Sequence, residues 1–272
     1  MPASGPVDRS RVVVKLGGSL ITRKREVEKL RPKVLARLAQ ELASVRSVPM
    51  VLLHGAGSFG HPGAARFGLA RPPDPGSSPA TRARGGAIVA AEVRRLHLAV
   101  LRELVRAGLS AWSIPLSGAG RNRAGRLAAL DVAPFEEALE RGLLPVSFGD
   151  VVPDTDWGVS ILSADTAAVE LARRLRVGRV VFATDVSGVL EGPAGRRRTV
   201  VPEIDEALVA RLRPAGGATD VTGGLRAKLD AMLEVARAGA DAALISGLTD
   251  GALPRAIRGE AVYGSWAHAR AP

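Results

Sequence analysis

Apolar runs alternate with amphipathic stretches along most of the chain, and this alternation predicts strands and helices in turn. RVVVKL, residues 11–16, is a β-branched run that ends at two glycines, which is typical of a buried strand entering a tight turn. Apolar residues then recur at helical spacing between residues 27 and 45, and VPMVLLHG, 48–55, predicts a second buried strand ending at glycine. The predicted order is strand, glycine turn, helix, strand, glycine turn.

The middle of the chain begins with a segment rich in proline, glycine and serine, residues 68–84, which we predict to be an exposed loop. A long helix follows and stops at Gly108. Its predicted apolar side carries Ile88, Val89, Val93, Leu96, Val100 and Leu104. LSAWSIPL and LLPVSFGD are strand candidates separated by a short helix near 133–141, and VVPDTDWGVSIL has the turn residues of a β-hairpin.

The C-terminal third continues the alternation. Ser163 or Asp165 is predicted to cap a helix over residues 164–175. The strand VGRVVFATD, a helix beginning near Gly223, the strand ADAALIS and a last strand in EAVYGSW complete the order. We therefore expect an α/β protein with a mainly parallel sheet, as a single domain over residues 11–266 after a disordered tail of residues 1–10. A TIM barrel is the competing architecture at this length.

Composition fits an ordinary soluble protein. The chain has 272 residues, of which 46% are hydrophobic and 24% charged, enough for one sizeable core. It contains no cysteine, which excludes disulfides and thiolate chemistry. No signal-peptide pattern and no apolar run of about 18 residues is visible, so a cytoplasmic protein without a membrane span is expected.

The net charge of +11 raises the question of polyanion binding. The arginines are spread along the chain, RRR at 196–198 is the one cluster, and one tyrosine, three tryptophans and five phenylalanines leave little for base stacking. Nucleic acid is therefore not the expected partner. A basic nucleic-acid-binding or regulatory protein without catalysis is kept as the alternative from another class, and a phosphate-rich small substrate would also suit the charge.

The distribution of lysine is more informative than the total charge. Of the 38 basic residues 33 are arginine, and the five lysines are Lys15, Lys24, Lys29, Lys33 and Lys228. Lys15, Lys24 and Lys228 stand beside glycine-rich or hydroxyl-bearing turns. A lysine ammonium is a compact, mobile point charge, whereas arginine is a planar fork, so a site that follows a migrating phosphoryl group can require lysine. The pattern predicts a phosphoryl-transfer site.

Two glycine turns at the ends of the first two strands are candidate phosphate cradles, because glycine lets the backbone approach an anion and the amides at the following helix start point toward it. The first consists of Gly17, Gly18 and Ser19, and the second of Gly55, Ala56, Gly57 and Ser58. A third candidate is the helix entrance at Thr222, Gly223 and Gly224, with Lys228 about one turn inside. Two cradles imply two phosphate-bearing ligands.

Other polar residues fall at strand ends. Asp165 stands at a strand-to-helix junction, where a carboxylate can cap the helix or hold ammonium groups. Thr184 and Asp185 suit a ribose, a base or a simple turn. Among the four histidines His61 is the candidate phosphate contact, because HGAGSFGH brings it back beside the second cradle. We expect His54 to be buried against backbone, and His97 and His268 to be structural.

Five ordered motifs, KLGGSLITRK, HGAGSFGHPGA, GDVVPDTDWGVSILSAD, TDVSGVL and DVTGGLRAK, resemble the amino acid kinase superfamily, and within it the isopentenyl phosphate kinases. The resemblance runs from about residue 11 to about 265. It implies an open αβα sandwich, commonly a homodimer, that uses ATP with magnesium to phosphorylate isopentenyl phosphate to isopentenyl diphosphate in a mevalonate-type isoprenoid pathway. A kinase for a phosphonate of the fosfomycin type, or for another small phosphate monoester, is the enzymatic alternative.

The resemblance also implies roles for particular residues, in an acceptor-binding part of about 11–160 and a nucleotide-binding part of about 161–266. Catalysis falls to Lys15, Lys228, His61 and Asp165. ATP binding falls to Lys15, Gly17, Gly18, Ser19, Lys24, Thr184, Asp185, Gly188, Gly224 and Lys228, with magnesium carried by ATP and no protein metal site. Acceptor binding falls to Gly55, Ala56, Gly57, Ser58, Gly60, His61 and Ala164. We expect the helix over 86–108 and the loop before it to wall the tail pocket, through Ile88 and Val89.

Three positions depart from the family pattern. Ala56 stands in GAG where GGG is usual, Ala164 in SAD where SGD is usual, and Leu225 where methionine is frequent. Because alanine keeps its amide hydrogen, both cradles can still donate, and we expect any effect of the methyl groups to be steric.

Overall fold

The computed structural model describes residues 7–23, 26–191, 199–211 and 223–269, and strands alternate with helices through most of these ranges. The strands are β1 Asp8–Leu16, β2 Met50–His54, β3 Ala111–Ser113, β4 Gly120–Arg123, β5 Arg126–Leu130, β6 Leu144–Phe148, β7 Asp150–Asp154, β8 Gly158–Leu162, β9 Val177–Thr184, β10 Val189–Glu191, β11 Thr199–Val201, β12 Asp241–Ser246 and β13 Gly264–Ala267. The helices are α1 Gly18–Ile21, α2 Pro32–Ala43, α3 Gly57–Arg66, α4 Pro79–Arg106, α5 Leu116–Ala119, α6 Ala133–Glu140, α7 Ala164–Arg174, α8 Glu206–Arg211, α9 Gly223–Arg237 and α10 Ala252–Arg258.

A seven-stranded sheet in the order β13-β12-β9-β1-β2-β6-β3 forms the centre of the described structure. Every neighbouring pair in it is parallel except β12 and β13. The sheet ends at two edge strands, β13 and β3, and so it is open. The predicted α/β class with a mainly parallel sheet is confirmed, and the TIM barrel is wrong.

Helices cover both faces of this sheet, and the alternation along the strands shows why. Val13 of β1 faces a core shared with α6, α7, α8 and α9, while Val12 and Val14 face a core shared with α1, α2, α4 and α10. Strands buried on both sides need continuous apolar runs, and β1 and β2 have them. Each fully buried Val or Leu stabilises the fold by about 1.5–3 kcal/mol.

The order of the strands places a crevice at the end of β1. The chain runs from β1 to β2, and later returns to the other side of β1 with β9. In open α/β sheets, ligands bind outside the carboxyl ends of the strands at such a switch point. Leu16, His54, Phe148 and Thr184 are the last residues of four neighbouring parallel strands at this edge. The two glycine turns and the start of α9 are the segments that the sequence predicts to meet there.

Several predicted boundaries are wrong. β1 begins at Asp8, three residues inside the predicted tail, whose residues 1–6 lie outside the described ranges. The first long helix, α2, begins at Pro32 rather than near residue 27, because Leu30 forms a β-bridge with Thr22 and Val27 is exposed. Proline at N1 is a favoured helix start.

The segment 68–84 is the predicted loop only up to residue 78. α4 begins at Pro79, and Leu69 is fully buried. The buried guanidinium of Arg82 donates to the carbonyls of Gly68, Leu69, Arg71 and Val159, which ties this segment to α4 and β8. Loop composition was correctly read up to residue 78, but the anchoring arginine was not recognised.

The sequence also did not reveal a second, smaller sheet in the order β5-β4-β7-β8. Only its β7–β8 hairpin was predicted. The β4–β5 turn has positive φ at Ala124 and Gly125, as two-residue hairpin turns of type I′ require. The Asp154 carboxylate accepts hydrogen bonds from both of their amides and from Ser160 Oγ, so one buried acid organises both hairpins. β4 is polar, with two arginines in four residues, and β5 is short and mostly exposed, so neither shows a strand-like hydrophobic pattern.

Among the described helices, none combines the length and the apolar character that crossing a bilayer needs.

Candidate active site

Two lysines that are distant in sequence meet on one carboxylate. Lys15, next to the last residue of β1, places its Nζ 2.8 Å from Asp165 Oδ1. Lys228, in the second turn of α9, places its Nζ 3.2 Å from Asp165 Oδ2 and 3.3 Å from Oδ1. Asp165 lies in the first turn of α7. The predicted convergence of residues 15, 165 and 228 is therefore present in the fold.

The charged groups of this cluster are largely buried, and burial disfavours their charged forms. The Lys15 side chain is only 6% exposed and that of Lys228 15%, while Asp165 is 27% exposed and faces the crevice. Burial lowers the pKa of Lys15 to about 8, against the attraction of Asp165 and with the repulsion of Lys228. Burial raises the pKa of Asp165, but the two lysines together hold it below its ordinary value. At neutral pH the cluster carries one net positive charge, ready for an anion.

The start of α7 fixes the carboxylate. Ser163 is the N-cap, and its Oγ accepts a hydrogen bond from the Thr166 amide at 3.0 Å. Of the two predicted caps, Ser163 is therefore the actual one. The Asp165 carboxylate is therefore free of a capping role and pairs with the two lysines. It lies at a helix N-terminus, which favours its negative charge.

The first glycine turn connects β1 to the short helix α1. The Gly17 amide donates to Ala183 O of β9, so it extends the sheet and is committed to backbone. Gly18 and Ser19 form the first turn of α1, where helix amides have no carbonyl one turn earlier. Ser19 Oγ donates to Asp185 Oδ1 at 2.8 Å, linking this turn to the end of β9.

The two glycine turns touch each other, backbone against backbone. A Cβ on Gly18 would lie 2.6 Å from Gly57 Cα, and one on Gly55 would lie 2.7 Å from Gly18 N. Real Cβ atoms do not approach backbone this closely, so glycine is required at both positions for steric reasons. The two cradles are therefore in direct contact with each other.

Thr22 joins the two turns, although no sequence pattern singled it out. Its side chain is fully buried, and its Oγ1 donates to Gly18 O at 2.7 Å and accepts from the Ser58 amide at 3.0 Å. Gly57, next to it, has φ +51°, a conformation that side chains rarely adopt. A threonine four residues after Gly18 is the only sequence signal for this link.

The second turn differs in one respect from what was expected. The Gly55 amide donates to Leu16 O at 2.9 Å, so it is occupied by the backbone and is not available to an acceptor phosphate. Ala56 is the N-cap of α3, and Gly57 and Ser58 begin the helix. Gly60 serves packing, because a Cβ there would lie 2.7 Å from a methyl of Val93 on α4.

His61 follows one turn later on α3, with an exposed side chain. Its neighbour Pro62 lies inside the helix. The role of His61 as a phosphate contact stays a prediction.

On the other side of β1, the end of β9 carries the residues predicted to bind the nucleoside. Thr184 Oγ1 donates to Val186 O and accepts from the Val186 amide, so it shapes the turn, and Asp185 accepts from Ser19. Gly188 is buried, and a Cβ there would meet Ser265 Oγ at 2.7 Å, which points to packing rather than ligand contact. Gly224 lies in the first turn of α9. Lys24, Thr222 and the arginines 196–198 lie outside the described residues.

The residues predicted around the acceptor tail separate into exposed and buried ones. Val89 is buried between α4 and β7, whereas Ile88 is 39% exposed and is not on the buried side of α4. Ala164 is buried at the start of α7. A cavity of about 390 Å³ opens beside this helix start. It is lined by Leu69, Ala70, Gly125, Arg126, Leu127, Trp157, Ser160, Ile161, Leu162, Ser163 and Thr166.

An ion pair between Arg94 and the buried acid Asp150, next to the second turn, was also missed. The Asp150 carboxylate is completely buried and accepts from both terminal nitrogens of Arg94 at 3.3 Å and from the Ser117 amide at 3.1 Å. Burial raises the pKa of Asp150, and the charge of Arg94 opposes this rise. The pair fastens α4 to the start of β7.

Comparison with known proteins agrees with this geometry. The model of the amino acid kinase family matches residues 10–246. An isopentenyl phosphate kinase of Methanothermobacter thermautotrophicus is 33% identical, over 93% of this chain and 97% of its own length. One from Haloferax volcanii is 36% identical, over 82% of this chain and 88% of its own. Acetylglutamate kinases also match, but over about half of the chain; that of Campylobacter curvus covers 49%.

Solved structures give the same result. An isopentenyl phosphate kinase structure superposes with a TM-score of 0.82 at 30% identity, over 94% of this chain and 99% of the other. The product complex of the Thermoplasma acidophilum isopentenyl phosphate kinase superposes with a TM-score of 0.76 at 25% identity, over 95% of this chain and all of the other.

Proposed function

The chain belongs to the amino acid kinase family, among the isopentenyl phosphate kinases, and on that premise we propose that it transfers the γ-phosphoryl group of ATP to isopentenyl phosphate. The product is isopentenyl diphosphate, an isoprenoid precursor. The observation that carries this proposal is the pair of ammonium groups, from Lys15 and Lys228, on the single carboxylate of Asp165.

The chemistry needs charge neutralisation more than base catalysis. The acceptor is already a phosphate oxyanion, so the main barrier is bringing two polyanions together. Two unit charges 4 Å apart repel by about 1 kcal/mol in water and about 4 kcal/mol at an effective dielectric constant of 20. Prepositioned donors aimed at the transferring group can each contribute about 3–4 kcal/mol to the transition state.

In this proposal each lysine has a defined place. Lys15 and Lys228 contact the transferring phosphoryl group, and Asp165 keeps both ammonium groups oriented before ATP arrives. The amides of Gly18 and Ser19 support the nucleotide phosphates, with Lys24 assisting. Residues of about 161–266 hold the nucleotide, and residues of about 11–160 hold the acceptor.

The acceptor phosphate lies over the second turn. The amides of Ala56 and Gly57 and the imidazole of His61 are its proposed donors, while the Gly55 amide is excluded because it donates to Leu16 O. This assignment supports a phosphate acceptor over a carboxylate one, since the histidine adds a further donor to the turn.

We propose Mg²⁺ as the metal, carried by the ATP phosphates. Within the described ranges, no group of three or more His, Cys, Asp or Glu side chains could hold a metal ion. Mg²⁺ would neutralise charge that develops on the β- and γ-oxygens.

We also propose a cytoplasmic homodimer, because ATP is supplied in that compartment and because α4 and the edge strand β3 carry exposed apolar side chains. Leu98 and Val105 lie two turns apart on α4 and are 49% and 59% exposed. Trp112, on the edge strand β3, is 57% exposed. Sedimentation of the native chain and of Trp112→Glu tests this, since the substitution should produce monomers.

An ATP-coupled assay across four acceptors tests the function: isopentenyl phosphate, dimethylallyl phosphate, fosfomycin and acetylglutamate. We expect the highest kcat/KM with isopentenyl phosphate. A preference for fosfomycin would replace the proposal with a phosphonate kinase. No ATP consumption, together with salt-dependent binding of RNA or DNA, would indicate the non-catalytic alternative.

A further inference from the structure

A chain of buried hydrogen bonds runs behind the second glycine turn. His54, the last residue of β2, is completely buried, and its Nδ1 lies 3.1 Å from Gly55 O. Its Nε2 lies 3.1 Å from Nδ1 of His97 on α4. Nε2 of His97 lies 2.8 Å from Ser113 Oγ on β3. The chain therefore connects the turn to a serine on the edge strand.

The direction of every bond in this chain follows from its first acceptor. A carbonyl oxygen only accepts, so His54 must carry its hydrogen on Nδ1, and its Nε2 is then an acceptor in the neutral ring. His97 must consequently carry its hydrogen on Nδ1, which leaves its Nε2 to accept from the Ser113 hydroxyl. One carbonyl thus fixes the tautomers of two imidazoles.

Both rings are held neutral by their surroundings. Burial lowers the pKa of His54 to about 4. The hydrogen bond to Gly55 O opposes this fall, and the charge of Lys15 adds to it. Burial lowers the pKa of His97 to about 3, with further contributions from His54 and Arg94. At pH 7 neither ring carries a charge, so the tautomer argument applies.

Packing prevents the rings from turning away. The centroids of His54 and His97 are 5.3 Å apart, and that of His97 is 4.2 Å from the Phe148 ring at the end of β6. The guanidinium of Arg94, one turn before His97 on α4, lies over the Phe148 ring, 5.8 Å from its centroid. The imidazoles are therefore clamped between two strands and a helix.

The constraint acts on one peptide group. In a trans peptide the carbonyl and the next amide point in opposite directions, so turning Gly55 O toward His54 turns the Ala56 amide hydrogen to the other side. The neighbouring backbone is fixed as well, because the Gly55 amide donates to Leu16 O and His54 O accepts from the Gly149 amide.

We infer that His54 and His97 are positioning residues, whose one-directional hydrogen-bond chain from Ser113 holds the Gly55–Ala56 peptide with the Ala56 amide facing the acceptor phosphate. The inference rests on the proposed function for the identity of that anion. The tautomers themselves do not depend on it.

Histidine NMR tests the chain directly on the native protein. The sequence has only four histidines, so His61→Gln and His268→Gln variants assign the remaining ring signals. Long-range ¹⁵N–¹H correlation at pH 7 should show both His54 and His97 as neutral rings protonated on Nδ1. A ring protonated on Nε2, or on both nitrogens, would overturn the inference.

Kinetics of two His54 variants test the consequence. His54→Asn keeps an amide donor near the Nδ1 position, whereas His54→Leu keeps bulk without any donor. We expect His54→Leu to raise the acceptor KM about tenfold with an unchanged ATP KM, and His54→Asn to stay within about threefold of wild type. Equal effects of the two variants would contradict positioning of the peptide.

The two proposals fail in different ways. A wild-type protein that phosphorylates no acceptor would contradict the proposed function, while the NMR result would still decide the tautomer chain. An active kinase whose His54 or His97 is protonated on Nε2 would overturn the hydrogen-bond chain and leave the proposed function intact. Thermal unfolding of both His54 variants shows whether they fold, and if His54→Leu does not, the NMR result is decisive.

Discussion

Lys15 Nζ lies 2.8 Å from Asp165 Oδ1, although β1 and α7, which carry these residues, come from opposite halves of the chain. Lys228 shares the same carboxylate from α9. Two buried ammonium groups would repel each other without an anion between them. Asp165 therefore allows both cations to be present before the polyanionic substrates bind.

Substituting Asp165→Asn should lower kcat about 100-fold, because both ammonium groups lose the anion that orients them. ATP affinity, measured by calorimetry, should change much less, since the lysines and the first glycine turn remain. Asp156→Asn, an exposed acid of the β7–β8 turn, is the matched control. A kcat for Asp165→Asn within about threefold of wild type would remove Asp165 from the mechanism.

The pH profile should show the deprotonation of Lys15. Its pKa is lowered to about 8 by burial, so kcat/KM, which reports the free enzyme, should fall as pH rises through about 8. Bound ATP favours the charged ammonium, so the limb in kcat should lie at higher pH.

The lowered pKa of Lys15 also makes the free energy of unfolding depend on pH. The folded pKa is below that of the unfolded chain, which therefore binds more protons between about pH 8 and 10.5. The contribution of Lys15 to the free energy of unfolding should rise with pH across this window. Initial rates measure the pH dependence of kcat/KM, and urea unfolding in matched buffers measures that of stability. A kcat/KM that is flat through about pH 8 would contradict the predicted deprotonation of Lys15.

His61→Ala should act on the acceptor alone. Loss of a donor to a charged phosphate should raise the KM for isopentenyl phosphate about 10- to 100-fold, with little change in the ATP KM. His61→Gln, which keeps an N–H donor, should recover part of the loss. His268→Ala, an exposed histidine beyond β13, is the control, and an unchanged acceptor KM in His61→Ala would end the proposed role of this histidine.

Thr22→Val should remove the hydrogen bonds that join the two glycine turns. Valine has the shape of threonine but neither donates to Gly18 O nor accepts from the Ser58 amide, so the free energy of unfolding should fall by about 1–3 kcal/mol. Turnover should fall too, because both cradles depend on this contact. The exposed Thr249→Val is the control, and denaturant unfolding that shows equal stability for the two variants would be the contrary result.

The sequence was sufficient for the central sheet because its strands are buried on both faces and must be continuously apolar. β1, β2, β6, β9 and β12 were all predicted. It was not sufficient for the small sheet, since β4 is polar, β5 is short and mostly exposed, and the turn between them is held by Asp154 from another hairpin. Such long-range polar contacts leave no local periodicity.

In the candidate site, too, some residues could be predicted from the sequence and others could not. The scarcity of lysine identified Lys15 and Lys228, because their chemistry restricts the residue type. Thr22, Arg82 and the pairing of His54 with His97 were not foreseen, since each depends on which backbone groups the folded chain leaves to be satisfied. The occupied amide of Gly55 likewise could be recognised only from the register of β1 and β2.

Lysine-to-arginine substitution tests the central claim most directly, because it keeps the charge and changes only the shape of the cation. In single-turnover measurements with ATP and isopentenyl phosphate, Lys15→Arg and Lys228→Arg should each lose at least about 100-fold in rate, while Lys33→Arg, an exposed lysine of α2, should react as wild type does. Near-normal rates in both site variants would contradict the account of two converging ammonium groups.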